Sequence, residues 1–447
     1  MLFRTVPLIL GLLAVVGASF TAPAHAQLAF IRDAEIESII RSYAAPLFEA
    51  AGLDSQSVKV HIISDTKINA FVAGGKKLFI NTGLLLAAKD SNQLVGVIAH
   101  ETGHIAGGHL ARTHEVLSNA NAATIMSFVL GAAALAAGSP NAALAIVAGG
   151  AAVSQQTFLK YSRGQEQAAD QYAVTTLDRT GQSARELLEF LELLEDQEVL
   201  MIGRQEPYLR THPLVRGRVA FVRNHVENSP YSETKPSAED ETQFSRMIAK
   251  MQGFLNPRET FRLYPDDDQS LNARYARAIA HFQRPDLAPA LEEINGLLDE
   301  FPQDGYFYEL KGQILFENGR IGDAVESYRR AVEILPDAPL IRIGLAQTMV
   351  ERGDQAALDD AVEHLEISVR QDADFPLAWR LLSIAYGRSD RLGLSALASA
   401  ERAILVNNFK EAVAFAQRAD NLLPAGSPGQ LRAQDIEFVA KQSLSRK

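Results

Sequence analysis

Residues Val95–Gly108 read VGVIAHETGHIAGG, an apolar run broken by His100, Glu101 and His104. The run lies in a predicted helix, Leu94–Ala111. On a helix, residues i and i+4 stand one above the other, so both imidazoles can reach one ion. Glu101 projects beside them, where it can take a proton from a metal-bound water. A chance His-Glu-x-x-His in a chain with 10 histidines is expected on the order of 1% of the time.

A catalytic zinc takes three protein ligands and keeps one position open. Four of the histidines, His100, His104, His109 and His114, fall within fifteen residues. If the helix continues, His109 points about 180° away from His100, and His114 lies about 21 Å further along the axis. A metzincin pattern would need His at position 110, which is Leu. The third ligand must come from elsewhere, and a carboxylate is favoured. Ser162-Arg163-x-x-Glu166-x-x-x-Asp170 supplies two, again at i and i+4 on a predicted helix over Ser162–Asp178. One of them can bind the metal while the other orients a ligand imidazole.

The chain has 447 residues, enough for two or three domains. Charged residues make up 22% and hydrophobic ones 47%, which excludes a disordered or collagen-like chain. A net charge of −11 argues against nucleic acid as a partner. With no cysteine, any metal must be held by His, Asp or Glu. Met1–Ala26 carries one Arg, an apolar stretch and Ala24-His25-Ala26, the pattern of a cleaved export signal. The mature chain would begin at Gln27. Export without cysteine suggests a bacterial periplasm.

Val58–Ile63 and Lys77–Asn81 read as strands around a turn at Asn69–Gly75, and a helix starts over Thr82–Ala88. Ala184–Glu195 is a further amphipathic helix. Val116–Leu159 holds 44 residues without a charge, divided by Gly138-Ser139-Pro140-Asn141. Its two apolar halves are short for membrane spans and are expected to form a lid hairpin that covers the site and can touch a membrane, with a spanning or re-entrant hairpin and a plain buried hairpin as the alternatives. The polar stretch Asn228–Glu241, with two prolines, is expected to be a linker.

Pro302 and Pro336 lie 34 residues apart, the tetratricopeptide period. Counting back from Pro336 puts Tyr308, Gly312, Leu315, Ala324, Tyr328 and Ala331 at the repeat's packing positions. Pro424 frames a second unit with Ala400, Ala403, Ala412, Ala416 and Ala419. Pro302 frames a third with Ala278 and Ala290, and a fourth runs through Trp379, Ser383 and Tyr386 with an irregular second helix. Such helix pairs stack into a solenoid with a concave face.

The motifs Asn69-Ala70-Phe71, Gly74-Gly75, Thr82-Gly83-Leu84, His100–His104, Ser162-Arg163, Glu166-x-x-x-Asp170 and Thr211-His212-Pro213 occur in this order over Ile62–Val219. This order resembles the gluzincin family of the CAAX prenyl proteases and the HtpX heat-shock proteases. Export plus repeats is most similar to its periplasmic BepA/YfgC subgroup, over nearly the whole mature chain. The resemblance implies an α+β metalloprotease domain, mostly helical with a small sheet, at 27–228, then a connecting segment at 229–265. An all-α tetratricopeptide-repeat solenoid follows at 266–447.

The resemblance also implies one Zn2+ per chain, with His100, His104 and Glu166 as ligands and Glu101 as general base. Asp170 becomes the partner of a ligand imidazole, while His212 and Arg218 face the metal and can stabilise an oxyanion. His212, on a loop beside Pro213, is also a candidate fourth ligand that would hold the enzyme inactive. The substrate is expected along Asn69, Ala70 and Phe71, with Lys77, Leu78, Phe79 and Ile80 pairing to an extended chain by β-augmentation. Backbone pairing suits unfolded substrates. The implied function is a periplasmic endopeptidase and assembly chaperone for misassembled outer-membrane proteins, with the repeats recruiting the assembly machinery. The alternative is a non-proteolytic tetratricopeptide scaffold with a silent or structural zinc site.

Overall fold

The computed structural model describes residues 30–109, 163–200, 212 and 216–445. The expected export signal, Met1–Ala26, and the expected lid hairpin, Val116–Leu159, lie outside the described residues. Among the described residues no helix is long and apolar enough to cross a membrane.

The N-terminal half packs helices on one face of a four-stranded sheet. Strands β1 (Phe30–Ile31), β2 (Lys59–Ile63), β3 (Ala70–Ala73) and β4 (Lys77–Asn81) lie in the order β1-β2-β4-β3. Strand β2 runs parallel to β4, and β3–β4 is an antiparallel hairpin. Gly74 and Gly75 turn that hairpin with φ of 57° and 91°, a region that side chains disfavour. Val60, Ile62, Leu78 and Ile80 point into the core. On the opposite face, rings of Phe30, His61, Phe79 and Phe71 cross all four strands, His61 and Phe71 each stacking on Phe79.

The sheet is covered by helix α1 (Ala34–Ala50), which the sequence reading did not anticipate. Its signals are ordinary ones. The Asp33 side chain caps the start by accepting from the Ile36 N–H at 2.9 Å, and Glu35 and Glu37 complement the helix dipole. Ile36, Ile39, Ile40, Tyr43 and Leu47 recur at helical spacing and are buried.

Helix α2 (Thr82–Ala87) leads into α3 (Ser91–Ala106), whose start is capped by Asp90 accepting from the Gln93 N–H at 2.8 Å. Helix α3 stops five residues short of the expected Ala111, because Gly107 and Gly108 follow. Residues 163–180 form helix α4, followed by α5 (Arg185–Leu200) and α6 (Arg216–Asn228). Leu94 and Ile98 of α3, Ala173 and Leu177 of α4, Leu191 of α5 and Val222 of α6 share one core with α1.

The expected connecting segment at 229–265 is a packed element. Helix α7 (Ala238–Leu255) starts at the Ser237 cap and places Phe244, Met247 and Met251 in the N-terminal core. Its Gly253 lies against Ile279 of the first repeat helix. The polar residues and prolines around 228–237 mark a turn only, and the apolar spacing that follows makes a helix.

From Leu271 to Ser445 ten helices alternate with short turns. The expected packing positions Ala278, Ala290, Ala324, Ala331, Ala400, Ala403, Ala412, Ala416 and Ala419 are all fully buried. A Cβ on Gly312 would stand 2.7 Å from the Tyr328 ring, so the small residue seats the large one. The second helix of the fourth unit, expected to be irregular, is the regular helix Leu392–Leu405.

A dense ionic seam joins the two halves. Lys250 reaches Asp33 at 2.8 Å and Glu35 at 3.1 Å, and Arg246 pairs with Glu35 and Asp304. The Tyr275 hydroxyl donates to Glu35 at 2.7 Å. Arg32 pairs with Asp372 and Lys59 with Asp374, both at 2.6 Å.

Candidate active site

Helix α3 carries His100, Glu101 and His104 on a stretch that is buried throughout. Helix α4 brings Glu166 and Asp170 against it, and Gly103 allows the approach. A Cβ at Gly103 would lie 2.7 Å from the Ala169 carbonyl oxygen and 2.9 Å from its Cα. His212 enters from the loop before α6, and Arg218 from the first turns of α6.

One ligand atom each from His100, His104, Glu166 and His212 falls within 4.8 Å of the others, and all four residues are buried. His100 Nε2 is 3.2 Å from His104 Nε2, 3.4 Å from His212 Nδ1 and 3.3 Å from Glu166 Oε2. His104 Nε2 is 3.5 Å from Glu166 Oε1, and His212 Nδ1 is 3.2 Å from Glu166 Oε2. A tetrahedral ion with ligands at about 2.0–2.1 Å has edges of about 3.3–3.4 Å. The spacing therefore suits a small tetrahedral cation.

The charges agree. Glu101, Glu166 and Asp170 face one guanidinium, Arg218, so with neutral imidazoles the buried set carries −2. Neither Glu101 oxygen has a hydrogen-bond partner among the described residues, and both are buried. Such a carboxylate is costly unless a cation or a proton-bearing ligand completes it. A divalent metal fits the donors, the spacing and the charge.

Asp170 takes the orienting position. Its Oδ1 is 2.9 Å from His100 Nδ1, on the ring side away from the cluster. Arg218, fully buried, donates from Nε to Asp170 Oδ2 at 2.7 Å and from Nη2 to Oδ1 at 2.9 Å. Its Nη1 is 3.0 Å from Glu166 Oε2. Each nitrogen of this fork is committed to a carboxylate, so Arg218 fixes Glu166 and Asp170. The expectation that it meets an oxyanion gives way to that geometry.

Burial opposes charge on all these groups, and the neighbours decide the outcome. Asp170 and Glu166 overcome the desolvation of His100 and push its pKa up to about 9. His212, His100 and Arg218 overcome it for Glu166, holding that carboxyl well below the ordinary range. For Glu101 burial prevails and its pKa is raised, which makes it a stronger base than an exposed glutamate.

The expected substrate contacts divide. Strand β4 is hydrogen-bonded on both sides, to β2 and to β3, and Leu78 and Ile80 are fully buried. Lys77–Ile80 therefore cannot accept a further strand, and Lys77, Leu78, Phe79 and Ile80 are withdrawn as its pairing partners. Among the described residues the sheet ends on β3, which packs against α3, so Ala70 and Phe71 lie on its edge strand. The Asn69 carbonyl accepts from the Asn81 N–H at 2.9 Å, closing the hairpin next to it.

His109, set aside on the continuing-helix argument, returns to the site and lies 3.0 Å from His104. The signal for this was the Gly107-Gly108 pair that ends the helix.

Residues 31–226 match the family model of Peptidase family M48, and residues 275–339 and 315–385 match Tetratricopeptide repeat models. Two curated relatives are named beta-barrel assembly-enhancing protease. The one from Yersinia pestis is 26% identical over 377 residues, spanning 83% of this chain and 76% of the relative. The one from Escherichia coli (strain K12) is 25% identical over 411 residues, spanning 90% of this chain and 82% of the relative. The metalloprotease LoiP of the same strain is 27% identical over 174 residues, 39% of this chain and 65% of its own.

Proposed function

We propose that this chain, which carries a peptidase family M48 domain followed by tetratricopeptide repeats, is a zinc endopeptidase of the bacterial periplasm. Its substrates are unfolded or misassembled outer-membrane proteins. The observation that carries the reading is Glu101, a buried carboxylate with no hydrogen-bond partner among the described residues, beside four converging metal-donor atoms. A purely structural metal site needs no such base.

His100, His104 and Glu166 would hold the ion, which when bound polarises a peptide carbonyl and acidifies a water. Glu101 would accept a proton from the attacking water and return it to the leaving amine. Asp170, clamped by Arg218, keeps the His100 ring turned to the cluster. The edge strand β3 pairs with the backbone of an extended substrate, which favours unfolded clients over one side-chain motif. The outer-membrane client and the periplasmic setting rest on the relatives' names, and the repeats supply a surface for the client or the assembly machinery.

One observation favours a second reading. His212 makes the donor set four, the closed arrangement of structural sites. It supports either a silent site in a scaffold or a latent enzyme whose 212 loop withdraws to admit substrate. In the latent case His212→Ala raises casein cleavage and weakens zinc binding; unchanged values for both would end that idea. The main test compares wild type with Glu101→Gln on casein, with and without chelator. Cleavage by wild type alone, stopped by chelator, is the expected result. Equal cleavage by the variant sinks the peptidase. Full rescue of a membrane-assembly defect by Glu101→Gln favours the scaffold.

A further inference from the structure

We infer that His109 is a positioning residue for the metal centre, accepting the Nδ1 proton of His104 and thereby fixing the tautomer and ring plane in which His104 presents Nε2. The inference rests on the metal-site reading above and adds a residue to it.

His104 Nε2 faces the cluster, at 3.2 Å from His100 Nε2 and 3.5 Å from Glu166 Oε1. A ligand nitrogen needs its lone pair, so the proton of the neutral ring sits on Nδ1. That Nδ1 is 3.0 Å from His109 Nδ1. One of the two nitrogens must donate and the other accept. His104 donates, so His109 accepts and carries its own proton on Nε2. The rings meet edge to face, with centroids 5.0 Å apart and planes at 81°.

The chain around His109 is shaped for this contact. Gly108 adopts φ of 61°, the left-handed conformation that ends a helix and turns the chain back. Gly107 leaves the space that the ring occupies: a Cβ there would stand 2.4 Å from His109 Nε2 and 2.8 Å from its Cδ2. Gln165, the residue before Glu166, donates from Nε2 to the His109 carbonyl at 2.8 Å. His109 is buried, and its backbone is tied to the same helix that supplies Glu166 and Asp170.

Metal-binding imidazoles as a rule donate their second N–H to an acceptor that sets ring orientation. His100 has Asp170 for this, and His104 has His109. A neutral acceptor suits the second position. With three carboxylates and one guanidinium the site is at −2, and a fourth carboxylate would take it to −3, beyond what one divalent ion neutralises.

The test uses the full chain with His109→Asn, His109→Phe and Gly107→Ala. Zinc affinity is read by chelator competition and ligand geometry by the visible spectrum of the cobalt-loaded protein. Asn places its Oδ1 where Nδ1 stood and keeps the acceptor, whereas Phe keeps the ring shape and loses it. The expected outcome is a loss of about 10–100-fold in zinc affinity and an altered cobalt spectrum for Phe and for Gly107→Ala. Asn should stay within a few-fold of wild type with the wild-type spectrum. A role in packing alone reverses that order, and Phe equal to wild type with Asn impaired overturns the inference. Thermal unfolding of the metal-free proteins shows whether each variant folds, and His109→Leu replaces Phe if that one does not. Because the readout is affinity, a wild type that binds zinc yet cuts nothing overturns the peptidase reading and leaves this result standing.

Discussion

Two clusters of buried charge occupy this protein, and their difference separates structure from chemistry. At the seam, Asp33 and Glu35 meet Lys250 and Arg246, and the Tyr275 hydroxyl adds a donor to Glu35. Each acid there has its cation within the chain. At the site, the one guanidinium among the described residues, Arg218, serves Glu166 and Asp170, and Glu101 has beside it only the His212 ring nitrogen, Nε2, 3.3 Å from its Oε1. Glu35 and Lys250 of the seam are buried as the site's acids are. What distinguishes the site is that, with its imidazoles neutral, the described residues leave it short of positive charge, which a divalent ion can supply.

The largest way to break the comparison is metal removal. A chelator should abolish casein cleavage, zinc should restore it, and the zinc-loaded chain should be more stable by about 4 kcal/mol at a thousandfold excess over Kd. Calorimetry with and without chelator checks it; equal unfolding temperatures would mean that the site is not short of a cation. The seam should show the opposite. Lys250→Met strips Asp33 of its cation and leaves Glu35 to Arg246 alone, and a loss of about 3–5 kcal/mol is expected in urea unfolding with zinc affinity unchanged.

A smaller effect probes how the site is assembled. Gly103→Ala pushes a methyl toward the Ala169 carbonyl, 2.7 Å away, and should cost about 1–3 kcal/mol while weakening zinc binding. Retained affinity would show that α3 and α4 can separate without disturbing the ligands.

The smallest effect lies beside the seam. Burial pushes the Glu309 carboxyl up to about 8, despite the opposing pull of Lys250. The folded chain thus holds a proton that the unfolded chain releases above about pH 4.3. The contribution is full below that pH and fades as pH rises through about 8. Glu309→Gln should therefore gain on wild type between pH 5 and pH 8, by on the order of 1 kcal/mol or more. A constant difference across that range would remove the protonated glutamate from the account.

Features set by local periodicity were legible without coordinates. The i and i+4 spacing of His100 and His104, the 34-residue repeat and the strands at 59–63 and 77–81 each follow from backbone geometry that a short stretch dictates. Glu166 and Asp170 were recognisable as a pair by the same spacing. Which of them turns to the cluster depends on Arg218, 48 residues beyond Asp170, and that is a tertiary fact.

The order of the strands was hidden for a related reason. A period of two reveals that a segment is a strand and says nothing about its neighbours, so β4 looked available as an edge although β2 and β3 cover both its sides. The His109 case is the sharpest. Extrapolating α3 past Ala106 sent that ring to the far side, while one left-handed residue at Gly108 brought it back to His104. Residue chemistry and short-range spacing were fixed by the amino-acid order alone. Which groups share a charge, a proton or an edge was decided by packing between segments far apart in the chain, because electrostatics and hydrogen bonding act through space rather than along the backbone.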